Sequence, residues 1–306
     1  MNEANVFLKE LIGHIDRHDK LHSKKINGNV NSLIEKYPVQ FNELLVLVYN
    51  YFKGLHIAPE AIAADYLKMI ADMRKEGLYF YKYGKYRCEN QAIAYENVYS
   101  RKEIMSYYMH ALLVSQILWK HHFNIFMYFQ SQLKTLFASK KELSILDVGP
   151  GHGFFSFLVQ KEFPGYKKID IVDISETSLQ MTERIIGYDE NKISYTKKDI
   201  FDYDDSVKYD FIVLGEVIEH LDDPKSILIK LSNMLNEGGI LWVTTPTNSP
   251  ALDHVYLFHT RADVVTLLND AGLQVAAMYN CFAEDMDEAT AIKNKVTDLV
   301  GIFCKN

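Results

Sequence analysis

The sequence predicts an α/β chain in two parts: an all-helical region over 1–140 and a seven-stranded, mostly parallel sheet over 141–306. Three observations carry this. The first 140 residues hold almost no run that reads as a strand. From Leu143 onward, strand-like runs alternate with helical ones, the pattern of βαβ units. At Leu143–Val159, LSILDVGPGHGFFSFLV, a short buried strand meets three glycines at alternate positions and then an amphipathic run.

In the helical part, Asn5–Arg17 places apolar residues at 6, 7, 8, 11, 12 and 15, a helical stripe. KKINGN (Lys24–Asn29) reads as a turn. Pro38–Tyr51 and Pro59–Lys75 read as helices, and Pro59 suits a first turn. Leu78–Arg87 reads as a small hairpin or loop bending at Gly84. Glu96–Lys120 and Phe123–Phe137 read as long helices separated near His121–His122. In the second part the strand runs are 143–148, 169–173, 192–196, 209–214 and 239–245. Helices fill 152–162, 175–186, 224–236 and 260–271. Two further β runs, Leu273–Phe282 and Val296–Lys305, are joined by a short segment and are expected to pair antiparallel.

Composition narrows the function classes. Hydrophobic residues make up 48% and charged residues 24%, as in an ordinary globular protein. The net charge of −7 argues against a nucleic-acid binder that relies on phosphate contacts. Cys88, Cys281 and Cys304 lie far apart without metal-type spacing, which points to a reducing compartment. MNEANVFLKE has no signal-peptide pattern, and no apolar run approaches the about 20 residues that cross a bilayer. The expectation is a cytoplasmic protein without nucleic-acid or membrane partners. A homodimer through the helical part is a further expectation.

The candidate site starts at the glycine loop. Gly149, Gly151 and Gly153 suit a tight strand-to-helix turn that lets a ligand touch backbone, and Asp147 sits at the strand's end, where open α/β sheets bind ligands. The loop is similar to the dinucleotide fingerprint G-x-G-x-x-G. It also resembles motif I of the class I S-adenosylmethionine (SAM) dependent methyltransferases, an acid followed by G-x-G-x-G. Later motifs separate the two. IDIVD ends in Asp173, twenty residues beyond Gly153, where a carboxylate accepts ribose hydroxyls, although a helix-capping acid would also stand there. Asp199-Ile200 follows the third strand. Tyr209–Pro224, YDFIVLGEVIEHLDDP, looks like the E-V-[IL]-E-H-[LM]-x-D-P signature of ubiquinone-biosynthesis-type small-molecule methyltransferases. LNEGGILWVTTP and Asp253-His254-Val255-Tyr256-Leu257-Phe258 match later segments of that family.

The resemblance implies a Rossmann-like core beneath an N-terminal helical cap, with SAM as cofactor. It assigns Asp147, Gly149 and Gly151 to the methionine and ribose region, with Glu216 close by. Asp173 and Ile174 fall at the ribose, and Asp199 and Ile200 at the adenine. It implies methyl transfer to a small-molecule acceptor, giving S-adenosylhomocysteine (SAH). His220 is the first candidate for activating the acceptor, with His254 second and Glu216 beside them, because His is the usual base near neutral pH. No metal is expected, although Glu216, Glu219, His220 and His254 resemble the divalent-metal set of small-RNA 3′-end methyltransferases, and a structural helix-start role also stays open. Tyr107, Tyr108, His121 and His122 are candidates to line the acceptor pocket. The tyrosines read equally as core, and the histidines as a solvated turn. Two other functions remain open. One is a SAM enzyme using another carbon, by intramolecular cyclisation or aminocarboxypropyl transfer with release of methylthioadenosine. The other is a non-catalytic SAM-binding regulator.

Overall fold

The computed structural model describes residues 2–138, 140 and 142–306. The chain opens with four long helices, α1 (Glu3–His18), α2 (Lys20–Lys36), α3 (Pro38–Gly54) and α4 (Pro59–Tyr83). A short α5 (Gln91–Ala94) runs into a π-helical turn at Tyr95–Tyr99, followed by α6 (Lys102–Leu118) and α7 (Lys120–Leu136). Then β1 (Ser144–Val148), α8 (Phe154–Glu162), β2 (Lys168–Asp173), α9 (Glu176–Ile186), β3 (Ile193–Lys197), β4 (Tyr209–Gly215), α10 (Pro224–Asn233) and β5 (Leu235–Thr247) alternate. The chain closes with α11 (Arg261–Asp270), β6 (Gln274–Phe282), α12 (Glu288–Lys293) and β7 (Asp298–Lys305).

The seven strands form one sheet in the order β3-β2-β1-β4-β5-β7-β6. Strands β1 to β5 pair in parallel, and β7 runs antiparallel to both β5 and β6. This is the predicted Rossmann-like architecture with its helical N-terminal region. The order reverses between β1 and β4, so the chain diverges there and leaves a crevice at the carboxyl ends of these strands.

Side chains alternate across the sheet. Ile145, Phe211, Val213, Trp242 and Phe303 face one way and join a core that also contains α1 to α4, α6 and α7. Leu146, Ile212, Leu214, Val243 and Ile302 face the other way, against α10 and α11. Packing therefore runs without a break across residue 140, the division expected from sequence. Helix α7 lies on the sheet itself: Phe129 stacks on Phe303 with ring centroids 5.9 Å apart and meets Trp242 at 5.1 Å.

Three local expectations need correction. KKINGN is not a turn but the middle of α2, which buries Ile26, Val30 and Leu33 along one side. The breaks fall instead at Asp19, whose carboxylate accepts from the His22 amide at 3.0 Å, and at Tyr37 before Pro38. Leu78–Tyr83 is not a hairpin arm but the last turns of α4, ending at Gly84. The break between the two long helices falls at Trp119, which is extended, so His121 and His122 begin α7 instead of separating it from α6. No helix among the described residues is long and apolar enough to cross a membrane.

Candidate active site

The glycine loop leaves β1 at the crevice. Its first two glycines have φ of +64° and +57°, a region that residues with a Cβ adopt at a cost. A Cβ on Gly149 would stand 2.6 Å from Cγ2 of Val217, so the loop presses directly on the segment that follows β4. A Cβ on Gly151 would meet nothing within 4 Å; it would enter open space beside the cavity that this residue lines. Asp147, 1% exposed, accepts from Ser156 Oγ at 2.6 Å. Burial pushes its carboxyl up to about 7, partly opposed by the Ser156 bond.

Glu216 is the first residue past β4 and adopts φ +56°, a strained conformation for a non-glycine residue. Its amide donates to the Thr244 carbonyl and to Thr244 Oγ1, both at 3.0 Å, which holds it there. Its Oε1 is buried and has no hydrogen-bond partner. Burial raises its pKa to about 7.

A 3-10 turn at Ile218–His220 follows. Glu219 points inward and is 1% exposed; Oε2 accepts from Thr245 Oγ1 at 2.9 Å, while Oε1 has no partner. Burial and then the Glu216 charge push its pKa well above the usual carboxylate value. The Glu219 carbonyl accepts from the amides of Val255 and Tyr256, at 2.8 and 2.9 Å, docking the Asp253–Phe258 segment onto the turn.

That docking completes a polar cluster. His220 Nδ1 lies 3.0 Å from the Asp253 carbonyl oxygen. A carbonyl only accepts, so neutral His220 carries its proton on Nδ1 and leaves Nε2 free, 3.8 Å from Glu219 Oε1. The His254 ring stands edge-on to His220 at 4.9 Å, with Nδ1 buried and unpartnered. Burial lowers the His254 pKa to about 4, so it is neutral. Burial would raise Asp253, but its interactions with the His220 and His254 rings and the Tyr99 hydroxyl outweigh it and hold its pKa below the usual value. Ligand-type atoms of Glu219, His220 and His254 lie within 4.8 Å of one another, close enough to hold a divalent cation. Glu216 stands outside that group.

The cap closes over this cluster. A cavity of about 530 Å³ runs from Asp147, Gly149, Gly151, Glu216, Glu219, His220 and His254 up between α2, α4, α6 and α7. Tyr108, His121 and His122 line it. His121 and His122 are not a solvated turn: burial holds both neutral, His121 near 3. Tyr107 does not reach the cavity; its hydroxyl donates to Asp72 at 2.8 Å inside the cap. Asp173, Ile174, Asp199 and Ile200 also lie outside it, at the ends of β2 and β3 beyond the loop. Asp173 Oδ1 accepts from the Ser175 amide at 2.7 Å, so this acid braces the start of α9. Burial raises its carboxyl to about 7. Asp199 caps the next turn by accepting from the Phe201 amide at 2.9 Å.

Sequence reasoning did not single out Asp253 as an anchor. Tyr99 donates to its Oδ2 at 2.9 Å and Tyr108 to its Oδ1 at 3.3 Å, tying the π-helical turn and α6 to the cluster. The tyrosine-rich stretch before residue 108 and the Asp-His pair were the available signals. His22, Asn29 and Arg74 in the cavity wall gave none.

Comparison with known proteins fits this geometry. A family model described as a methyltransferase domain matches residues 120–277, from the start of α7 into β6. The chain belongs to that family. It is a member of the class I SAM-dependent methyltransferase family. Its match to malonyl-[acyl-carrier protein] O-methyltransferase 1 of Ilyobacter polytropus is 31% identical over 52% of this chain and 54% of that protein. Its match to the mitochondrial ubiquinone biosynthesis O-methyltransferase of Candida albicans is 29% identical over 34% of this chain and 32% of that protein. The chain thus spans about half the length, or less, of these curated relatives. A solved structure of the N-methyltransferase NodS from Bradyrhizobium japonicum, in complex with SAH, superposes with a TM-score of 0.46 at 19% identity, covering 59% of this chain and 86% of that one.

Proposed function

We propose that this protein transfers the SAM methyl group to a small-molecule acceptor held between the helical cap and the sheet. The observation that carries this reading is the cavity. It starts at the glycine loop and continues well past it into the cap, and its volume of about 530 Å³ falls in the range of small-molecule sites. A second reactant has room there, which favours transfer to an acceptor over the intramolecular chemistry that SAM also permits.

The residues present fit SAM. The open space beside Gly151 admits a ligand against the backbone, and the unpartnered Glu216 Oε1 offers an acceptor for an amino group. Asp147, Gly149, Gly151 and Glu216 would hold the methionine end, Asp173 and Ile174 the ribose, and Asp199 and Ile200 the adenine. Bound SAM supplies an electrophilic methyl group, so positioning provides much of the rate. The chain's own part is to hold the acceptor and take its proton. His220 Nε2, kept free by the Nδ1 contact with the Asp253 carbonyl, is the atom suited to that role.

The test is product analysis with methyl-labelled SAM and a metabolite extract. Label in a new small molecule with equimolar SAH supports the reading. Methylthioadenosine in place of SAH would overturn it, and failure to bind SAM or SAH by calorimetry would revive a non-catalytic role.

A further inference from the structure

The curated relatives are O-methyltransferases by name, yet the floor of this cavity is built for a cation. Glu216, Glu219 and Asp253 bring three carboxyl groups to it, with His220 and His254. Three of its buried acceptor atoms have no donor: Glu216 Oε1, Glu219 Oε1 and His254 Nδ1. Glu219 and His254 are more than nine-tenths buried, so water does not serve them freely. Leaving such atoms unpaired costs about 1–3 kcal/mol each. The cavity's two Lys/Arg side chains among the described residues are already paired, Lys25 with Glu284 at 2.5 Å and Arg74 with Asp19 at 2.7 Å. A carboxylate or phenolate acceptor would meet three acids and no free cation. Above the floor the wall is aromatic: Tyr108, Trp119, His121, His122 and Phe126.

We propose that the acceptor is an amine, bound as an ammonium ion by Glu219 and His254 against this aromatic wall, with Glu216 left to the methionine end of SAM. This rests on the methyl-transfer reading and deepens it. A primary alkylammonium carries three N–H donors, two for the unpaired Glu219 Oε1 and His254 Nδ1 and one for His220 Nε2 beside them, and its carbon body packs on the aromatic faces, which also attract cations. For transfer, one N–H proton passes to His220 Nε2 and leaves the nitrogen a free electron pair. That pair forms the new N–C bond as the methyl–sulfur bond breaks, and sulfur keeps the bonding electrons. The products are the methylammonium form of the acceptor and SAH.

Matched probes test this in the full-length protein. Phenethylammonium, 2-phenylethanol and phenylacetate share one aromatic body and differ in the head group. Each is titrated against the SAH-bound protein by ligand-observed NMR, with the metal content of the same preparation measured by elemental analysis. The expected result is binding of phenethylammonium at least about tenfold tighter than of either other probe, the worth of one charge-assisted hydrogen bond. Glu219→Gln should bring the three within about threefold while SAH still binds. Equal binding of the wild-type protein to ammonium and alcohol, or preference for phenylacetate, overturns the proposal and leaves methyl transfer standing; this comparison needs no variant. A stoichiometric divalent metal lost in Glu219→Gln also overturns it, because the cation would then be the metal. Absence of SAH binding is the separate outcome that removes the underlying reading.

Discussion

Two substitutions in the glycine loop should separate its structural work from its ligand work. Gly149→Ala and Gly151→Ala both place a side chain at positive φ, with φ of +64° and +57°. That alone costs about 1–2 kcal/mol. At Gly151 the added methyl meets nothing within 4 Å, so the cost stops there. At Gly149 it stands 2.6 Å from Val217 Cγ2, and the neighbour it displaces is flanked by the strained Glu216. Overpacking of this kind adds about 1–3 kcal/mol. Gly149→Ala should therefore destabilise by about 2–5 kcal/mol and Gly151→Ala by about 1–2 kcal/mol. In a chain of this size each kcal/mol lowers Tm by roughly 2–4 °C or somewhat less. Binding should rank the other way relative to stability. The Gly151→Ala methyl occupies the space where a ligand meets the backbone, so SAH affinity should fall by about tenfold or more with only a few degrees lost. Differential scanning fluorimetry and calorimetric titration with SAH read the two effects. Wild-type SAH affinity in Gly151→Ala, or Gly149→Ala melting no lower than Gly151→Ala, would refute the reasoning.

Four further outcomes follow from the same contacts. Tyr99→Phe removes a 2.9 Å donor from the buried Asp253 carboxylate and should cost about 1.5–3 kcal/mol in urea unfolding, more than Tyr108→Phe at 3.3 Å; a neutral Tyr99→Phe would show that this anchor is not stabilising. Asp173→Ala should weaken SAH binding by about tenfold or more, and unchanged affinity would leave this acid only its brace on α9. His121 has its folded pKa lowered by burial to about 3, so the unfolded chain takes a proton below its ordinary 6.5 while the folded chain does not. Its contribution is therefore complete above pH 6.5 and declines as pH falls towards 3, by about 1 kcal/mol at pH 5.5, so His121→Asn should lose that much less stability between pH 8 and 5.5 than the wild type. Gly28→Ala should stabilise by about 0.5–1 kcal/mol, because Gly28 is inside α2 with nothing within 4 Å of an added Cβ; destabilisation would argue that the helix breaks there.

The core was legible because its signals are local and repeated. Strands β1, β2 and β4 are short, largely buried runs that end in or next to a chemically distinct residue, and the fold brings those ends to one edge. Asp147, Asp173 and Gly215 terminate or nearly terminate β1, β2 and β4, so motifs spread over some seventy residues become neighbours once the strands pair. The Asp253–His254 pair was legible only as a motif. Its role depends on the Glu219 carbonyl receiving the Val255 and Tyr256 amides, a contact for which no periodicity codes.

The cap was harder to read because helical periodicity shows that a face is buried, not what it is buried against. Helix α2 makes the point. One stripe, Ile26, Val30 and Leu33, packs into the core, and a neighbouring stripe, His22, Lys25, Ile26 and Asn29, faces the cavity. Spacings of three and four residues put these on one side of a helix. Reading KKINGN as a turn cuts that stripe between His22 and Asn29 and hides three cavity residues together. Asn27, Gly28 and Asn29 do favour a turn locally, but Ile26 and Val30 are nearly fully buried and the Asn29 side-chain amide donates to the Leu118 carbonyl at 3.2 Å. Burying two such side chains is worth about 1.5–3 kcal/mol each, against about 1 kcal/mol for one glycine in a helix. Tertiary packing therefore outweighs the turn signal, and part of the cavity wall is built from residues whose local preference pointed elsewhere.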